Sequence, residues 1–307
     1  DGLQVILLSD FSSYGSYEPS VFFGYGLTVS GNILYVANGT SGLSLLDISD
    51  PSSPSAEGSY NTSGTAVNVA VSGNYAYVAD DTKGLQIINI SNPSSPSLTK
   101  NYPTLSKANA VVVSGNYAYV AEDSHLEIIN ISTPSSPSFK GSLSLYGLDI
   151  EIKDDDAYVA TSGGFHVVDI SNPASPSLIT TYSSSDTPWD IFIEGNYAYL
   201  TLHGTGIEIV DISDPKNPKS VLELNENELL DSQCIYVDGD YIYVCSNAFY
   251  RLEHECGDGI LGPNETLGTC EDASLFETGT TSGAADGSDD GSGNFTSSSS
   301  GGCSLRI

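Results

Sequence analysis

Short apolar runs with alternating polar positions recur along most of the chain, each closed by a turn. Ala66 to Val71 alternates, Ser72-Gly-Asn74 turns the chain, and Tyr75 to Ala79 and Leu85 to Ile90 follow as two more apolar runs. Their length and pattern predict β-strands, with the Gly-Asn turn joining the first two as a hairpin. Pro93-Ser-Ser-Pro96 then breaks the ladder, because proline donates no backbone hydrogen bond. A more polar outer strand is predicted near Leu98 to Tyr102.

This unit repeats. The segment Gly73-Asn-Tyr-Ala-Tyr-Val-Ala79 is one of six copies, the others being Gly31 to Ala37, Gly115 to Ala121, Asp154 to Ala160, Gly195 to Thr201 and Gly239 to Cys245. Along the chain the copies are spaced by 42, 42, 39, 41 and 44 residues. A second signature, Gly84-Leu-Gln-Ile-Ile-Asn-Ile-Ser-Asn-Pro93, is echoed at Gly42 to Pro51, Ser124 to Pro134, Gly164 to Pro173 and Gly206 to Pro215. Four antiparallel strands in about 41 residues cannot bury both faces alone, but packed radially against like units they can. The expected fold is therefore all-β, a six-bladed β-propeller of four-stranded antiparallel blades, with five or seven blades and a β-solenoid as the competing arrangements.

The two ends suggest how such a ring closes. Gly2 to Ser9 matches the third-strand signature, and Phe11 to Tyr17 reads as a fourth strand, whereas the last copy has only Cys234 to Val237 and Tyr241 to Cys245 before the pattern is lost. The expected organisation is an N-terminal strand pair over residues 1–23 that completes the last blade, in its own ring or a neighbour's. Propeller repeats follow over 24–250, then a Cys-containing loop segment over 251–275 and a Gly/Ser/Asp-rich tail over 276–307.

The paired signatures resemble the LVIVD-repeat family of bacterial and archaeal surface proteins over roughly residues 1–250. That resemblance implies a propeller and an extracellular setting, and no particular chemistry. Cys256-Gly-Asp-Gly-Ile-Leu-Gly-Pro-Asn-Glu265 resembles short Cys-rich modules of exported bacterial proteins, with fewer cysteines. Gly301-Gly-Cys-Ser304 is similar to the start of a C-terminal surface-sorting signal, although no apolar helix or basic cluster follows. Cys303 is accordingly expected to be unpaired, anchoring or intermolecular.

Charge narrows the partners. Nine Lys+Arg stand against 39 Asp+Glu, a formal charge of −30, which repels phosphate backbones and anionic membrane surfaces. Nucleic acid is not expected as a partner, and no apolar run is long enough for a transmembrane segment. The chain begins at Asp1 without a basic-then-apolar leader, so it is read as a mature exported protein. Cys234 and Cys245 flank a hairpin turn and are expected to bridge; Cys256 and Cys270 would staple a Gly/Pro/Asn-rich loop. Zinc is disfavoured by the lack of a CxxC pair, with His254 the only nearby imidazole.

No catalytic constellation emerges, and the expectation is a protein that is not an enzyme. Asp47, Asn89, Asn130, Asp169 and Asp211 hold one equivalent turn position, and Tyr35, Tyr77, Tyr119, Tyr158, Tyr199 and Tyr243 hold one packing position. His125, His166, His203 and His254 fall at unrelated positions, and there is no G-x-S-x-G. No metal site is assigned and no cofactor is expected; calcium is the one ion that the turn Asp154-Asp155-Asp156 or the stretch Asp286 to Asp290 could attract. Ligand-binding candidates are Trp189, Asp190, Asp149, Asn109 and Gln233, which mix one aromatic with polar groups at the expected channel mouth. Glycosylation candidates are the sequons at Asn38, Asn61, Asn89, Asn130, Asn264 and Asn294. The leading functional expectation is an extracellular or cell-surface structural protein, a filament subunit joined to copies of itself by strand or tail exchange. The alternative is an anchored recognition propeller that binds surface glycan or peptide.

Overall fold

The computed structural model describes residues 3–6, 13–17, 24–225, 229–230, 232–238, 241–245 and 249–253. Five antiparallel sheets of four strands each follow one another: blade 1 over residues 26–60, blade 2 over 68–102, blade 3 over 108–143, blade 4 over 149–183 and blade 5 over 188–224. Within each blade the strands pair in chain order, and the first strands of successive blades lie side by side, which puts them innermost. A sixth blade has three strands, Cys234–Asp238, Tyr241–Cys245 and Phe249–Glu253. Among the described residues there is no α-helix, and no helix is long and apolar enough to cross a membrane.

Stacking of blades explains why the second and third strands are almost wholly apolar instead of alternating. Both faces of each are covered, one by the preceding blade and one by the following blade, so Ala76, Tyr77, Val78, Ala79, Leu85, Ile87 and Ile88 are all buried. Fourth strands face outward and stay polar. First strands lay two apolar side chains on the blade before: Val69 and Val71 on blade 1, and so on to Ile235 and Val237 on blade 5. The tyrosine of each second strand from Tyr35 to Tyr199 lies in the core between its own blade and the next.

The closure differs from the sequence expectation. The strand beside Tyr241–Cys245 is Phe249–Glu253, not the N-terminal segment, and it runs across the boundary expected at residue 250. Leu3–Ile6 pairs with Ser13–Tyr17 in a two-stranded sheet of its own. Tyr17 packs on Leu34, Val36 and Leu46 of blade 1, much as Tyr60 at the end of blade 1 packs on blade 2. Through Tyr17 the N-terminal pair thus lies against blade 1. The expected Cys-containing loop beyond Glu253 and the tail lie outside the described residues.

Two glycine positions carry the repeat's backbone. The turn between first and second strands needs a left-handed residue, supplied by Gly31, Gly73, Gly115 and Gly195 at φ of 55–60°. Blade 4 has Asp154 there at φ 55°, a residue whose short polar side chain tolerates this region. The acidic turn considered for calcium is thus shaped by a backbone requirement. The glycine opening the third strand in blades 1, 2, 4 and 5 is constrained differently, because a Cβ on Gly206 would lie 2.0 Å from the carbonyl oxygen of Leu224, and on Gly164 1.9 Å from that of Tyr182. Gly206→Ala is therefore expected to cost more than ~3 kcal/mol in denaturant unfolding, whereas Gly73→Ala, with nothing within 4 Å of its Cβ, should cost only the ~1–2 kcal/mol of a left-handed alanine.

Candidate functional site

The innermost strands place the residues singled out at the channel mouth, and most of them prove to be fastenings between blades. Asn68 accepts the Val111 N–H at 3.2 Å, Asp149 accepts that of Ile191 at 3.1 Å, and Asp190 accepts that of Ile235 at 2.8 Å. All three occupy one register position, and each bonds the backbone of the following blade. Asn109 makes a related bridge, donating to the Gly147 carbonyl at 2.8 Å and to Asp123 at 3.1 Å. Of the five candidates, Asn109, Asp149 and Asp190 therefore serve as clasps.

Asp149 and Asp190 are also hydrogen-bonded to each other, so one carboxyl must carry the proton. Burial raises both above the ordinary carboxylate range, and the charge of Asp190 raises Asp149 further. Glu151, two residues along the same strand, is pushed up to about 7 by burial and by Asp190. Trp189 instead projects outward, 46% exposed, with its ring 5.3 Å from that of His203. Gln233 is exposed on the next blade. The structure thus joins Trp189 to a histidine that the sequence left at an unrelated position, and separates it from the acids.

A second acidic cluster was missed in the sequence. Glu122, at the end of a second strand, and Glu127, on the adjoining third strand, are both buried. Ser106 donates to Glu122 through its N–H at 2.6 Å and its hydroxyl at 2.9 Å; Tyr102 and the Leu105 N–H donate to Glu127 at 2.8 and 3.0 Å. Burial, together with the hydrogen bond and charge of Glu127, pushes Glu122 up to about 8. The same pair of positions holds Asn38 and Ser44, bonded at 3.1 Å, in blade 1, and Asp80 with Gln86 in blade 2, where burial pushes Asp80 up to about 6 despite a 2.5 Å bond from Thr62. Blade 5 has Glu208, which accepts from Tyr182 of blade 4. The legible signal was an acid or amide in the second position of an otherwise apolar third strand.

The recurring polar positions take turn and packing roles. Asp47, Asn89, Asn130, Asp169 and Asp211 each accept the N–H two residues on, at 2.8–2.9 Å. Hydrogen bonds from the backbone and hydroxyl of Ser49 hold Asp47 below the ordinary range, as those from the hydroxyl and backbone of Ser171 do Asp169. Tyr77 and Tyr158 are pushed up to about 12, chiefly by burial, which leaves no ring face for stacking a sugar. Cys234 is disulfide-bonded and stands opposite Cys245 in the hairpin register. Asn38 is a correction: it is buried and its amide nitrogen is bonded to Ser44, so a glycan cannot be attached without breaking that contact. Asn61, Asn89 and Asn130 use only the side-chain oxygen in their turn bonds. Cys256, Cys270, Cys303, Asn264, Asn294 and His254 lie outside the described residues.

Residues 25–62, 63–104, 106–144, 146–184 and 187–225 each match the LVIVD repeat, one match per four-stranded blade. The chain belongs to the LVIVD repeat family. No curated protein matches it in sequence. Among solved structures it is similar to a functionally unknown protein from Desulfotomaculum acetoxidans, at 10% identity and TM-score 0.68, over 84% of this chain and 90% of that one. It is similar too to the β-propeller domain of Cps50 (Swd1) from Myceliophteria thermophila, at 11% identity and TM-score 0.67, over 79% and 85% of the two chains. A candidate 6-phosphogluconolactonase from Bacteroides uniformis matches at 14% identity and TM-score 0.68, over 80% and 85%. At such identities the likeness is one of fold.

The buried Glu122 has a testable consequence for stability. Its folded value near 8 exceeds the ordinary 4.5, so the fold favours the neutral acid. That contribution is complete below about pH 4.5 and is lost as the pH rises through 8. Glu122→Gln keeps the shape, removes the titration and lets an amide donate to Glu127. The thermal midpoint of the variant should match wild type near pH 5 and exceed it by roughly 5 °C or more at pH 9.

Proposed function

We propose that this chain is a non-enzymatic extracellular structural protein, a propeller subunit that associates with copies of itself through exchanged strands or a docked tail. The observation that carries this reading is the use made of polar groups at the axis: Asn68, Asn109, Asp149 and Asp190 are engaged in holding one blade to the next. Groups so occupied are ill placed to exchange protons with a substrate. The formal charge of −30, the oxidised Cys234 and the exposed sequon turns at Asn61, Asn89 and Asn130 support an extracellular setting.

A second reading, a cell-surface recognition propeller for glycan or peptide, is favoured by the exposed Trp189 beside His203. The two readings separate experimentally, because the chain has one tryptophan and its fluorescence therefore reports on that site alone. Under the structural reading, the full chain shows concentration-dependent association in sedimentation velocity, Trp189→Ala associates as wild type does, and fluorescence is unmoved by soluble oligosaccharides. A saturable fluorescence change on titration with an oligosaccharide would favour recognition. Peptide mapping of native material should find sugar at one or more of Asn61, Asn89 and Asn130 and none at Asn38; an unmodified protein would remove the glycoprotein element of the proposal.

A further inference from the structure

Blade 5 departs from the repeat at two neighbouring places. At the start of its first strand, Pro188 stands opposite Leu202 and Asp190 opposite Thr201, which leaves Trp189 as the extra residue of a bulge. Bulges re-aim side chains. The equivalent Val67 and Leu148 of blades 2 and 4 pack into seams, whereas Trp189 is 46% exposed. The second departure is the turn His203-Gly204 after the second strand. The His203 N–H donates to the Thr187 carbonyl at 2.9 Å, which fastens this turn to the segment leading into the bulge. It sets the His203 ring 5.3 Å from that of Trp189. Asp186 borders the same turn: its Oδ1 accepts the Thr187 N–H at 2.7 Å, and its Oδ2 lies 3.2 Å from where a Cβ on Gly204 would stand. An exposed indole, an imidazole and a carboxylate thus meet at one turn.

We infer that this turn of blade 5 is a binding site for a guanidinium group, the arginine side chain of a peptide partner, stacked on the Trp189 ring and paired with Asp186. The inference rests on the recognition reading of Trp189 and commits it to a peptide cation in place of a glycan; it holds whether or not copies of the chain associate. Tryptophan is the aromatic side chain that attracts a cation most strongly. A planar guanidinium both stacks on such a ring and matches a carboxylate with two N–H groups. Blades 4 and 5 supply no cation of their own, because residues 154–215 contain ten Asp and Glu and no Lys or Arg. Asp81, by contrast, finds Lys107 at 3.3 Å. The formal charge of −30 draws a basic segment toward the molecule, and the turn decides where on it the arginine of that segment comes to rest.

The test uses the full chain, at about 0.15 M salt so that diffuse attraction is screened. A short peptide of glycines around a single arginine is titrated to millimolar concentration while the fluorescence of Trp189, the one tryptophan, is followed. A saturable change is expected, and none with the peptide that carries citrulline, the uncharged isostere, in place of arginine. Asp186→Asn should weaken binding roughly fivefold. Asp214→Asn, in the turn at the opposite end of the same third strand, should leave it unchanged. Trp189→Ala, followed by anisotropy of a labelled arginine peptide, should lose binding and keep the wild-type thermal midpoint. An equal response to the citrulline peptide overturns the cation site and leaves peptide recognition standing. Binding that Asp186→Asn leaves unchanged, or that both asparagine variants weaken alike, overturns the site in favour of the general field of the protein. A response to an oligosaccharide but not to the arginine peptide overturns the inference and leaves the recognition reading intact. Silence toward both overturns both.

Discussion

A sheet four strands wide with both faces apolar has no stable existence in water except between two others. That constraint governs the whole molecule: second and third strands are apolar on both sides because each blade is a filling, and fourth strands are polar because they form the outer edge that meets solvent. Core residues fall into clusters that each span two consecutive blades, so stability is distributed over interfaces between neighbours and not gathered at one centre. It follows that an end of the array is an exposed interface unless something is supplied to cover it.

Polar groups are admitted to this interior only under strict conditions. At the axis they are accepted where they bond an N–H of the next blade, and at the junction of second and third strands where two of them face each other. Neither arrangement is cheap for acids, and the outcome is a set of carboxyls whose neutral forms the fold prefers, Glu122, Glu151 and the Asp149–Asp190 pair among them. In a chain with 39 acids, burial that favours the neutral form also lessens the negative charge held in the space between blades.

Much of the architecture was legible because it is periodic. The hairpins, the tyrosine layer, the turn aspartates and asparagines, and the proline breaks all recur, and recurrence converts a weak local signal into a strong one. What escaped was aperiodic or nonlocal. Phe249–Glu253 lacks the Gly-Leu-x-Ile-Ile pattern, so its strand could not be seen in the residues, and the N-terminal pair was assigned to the blade it would have completed. The clasps of Asp149 and Asp190 end on backbone groups more than 40 residues away, and a backbone donor leaves no mark in a sequence. Trp189 and His203 meet through a turn of the fifth blade that spacing alone does not reveal.

Because the partner of each clasp is a main-chain group, an N–H for Asn68, Asp149 and Asp190 and a carbonyl for Asn109, the next blade receives it whatever its own side chains are. Asn and Asp serve alike in Asn68 and Asp149, and where alanine holds that place, at Ala110, the preceding Asn109 makes the bridge instead. A blade can therefore be duplicated or exchanged without any change in the backbone group that receives its clasp, leaving only the side-chain packing of the seam to be matched.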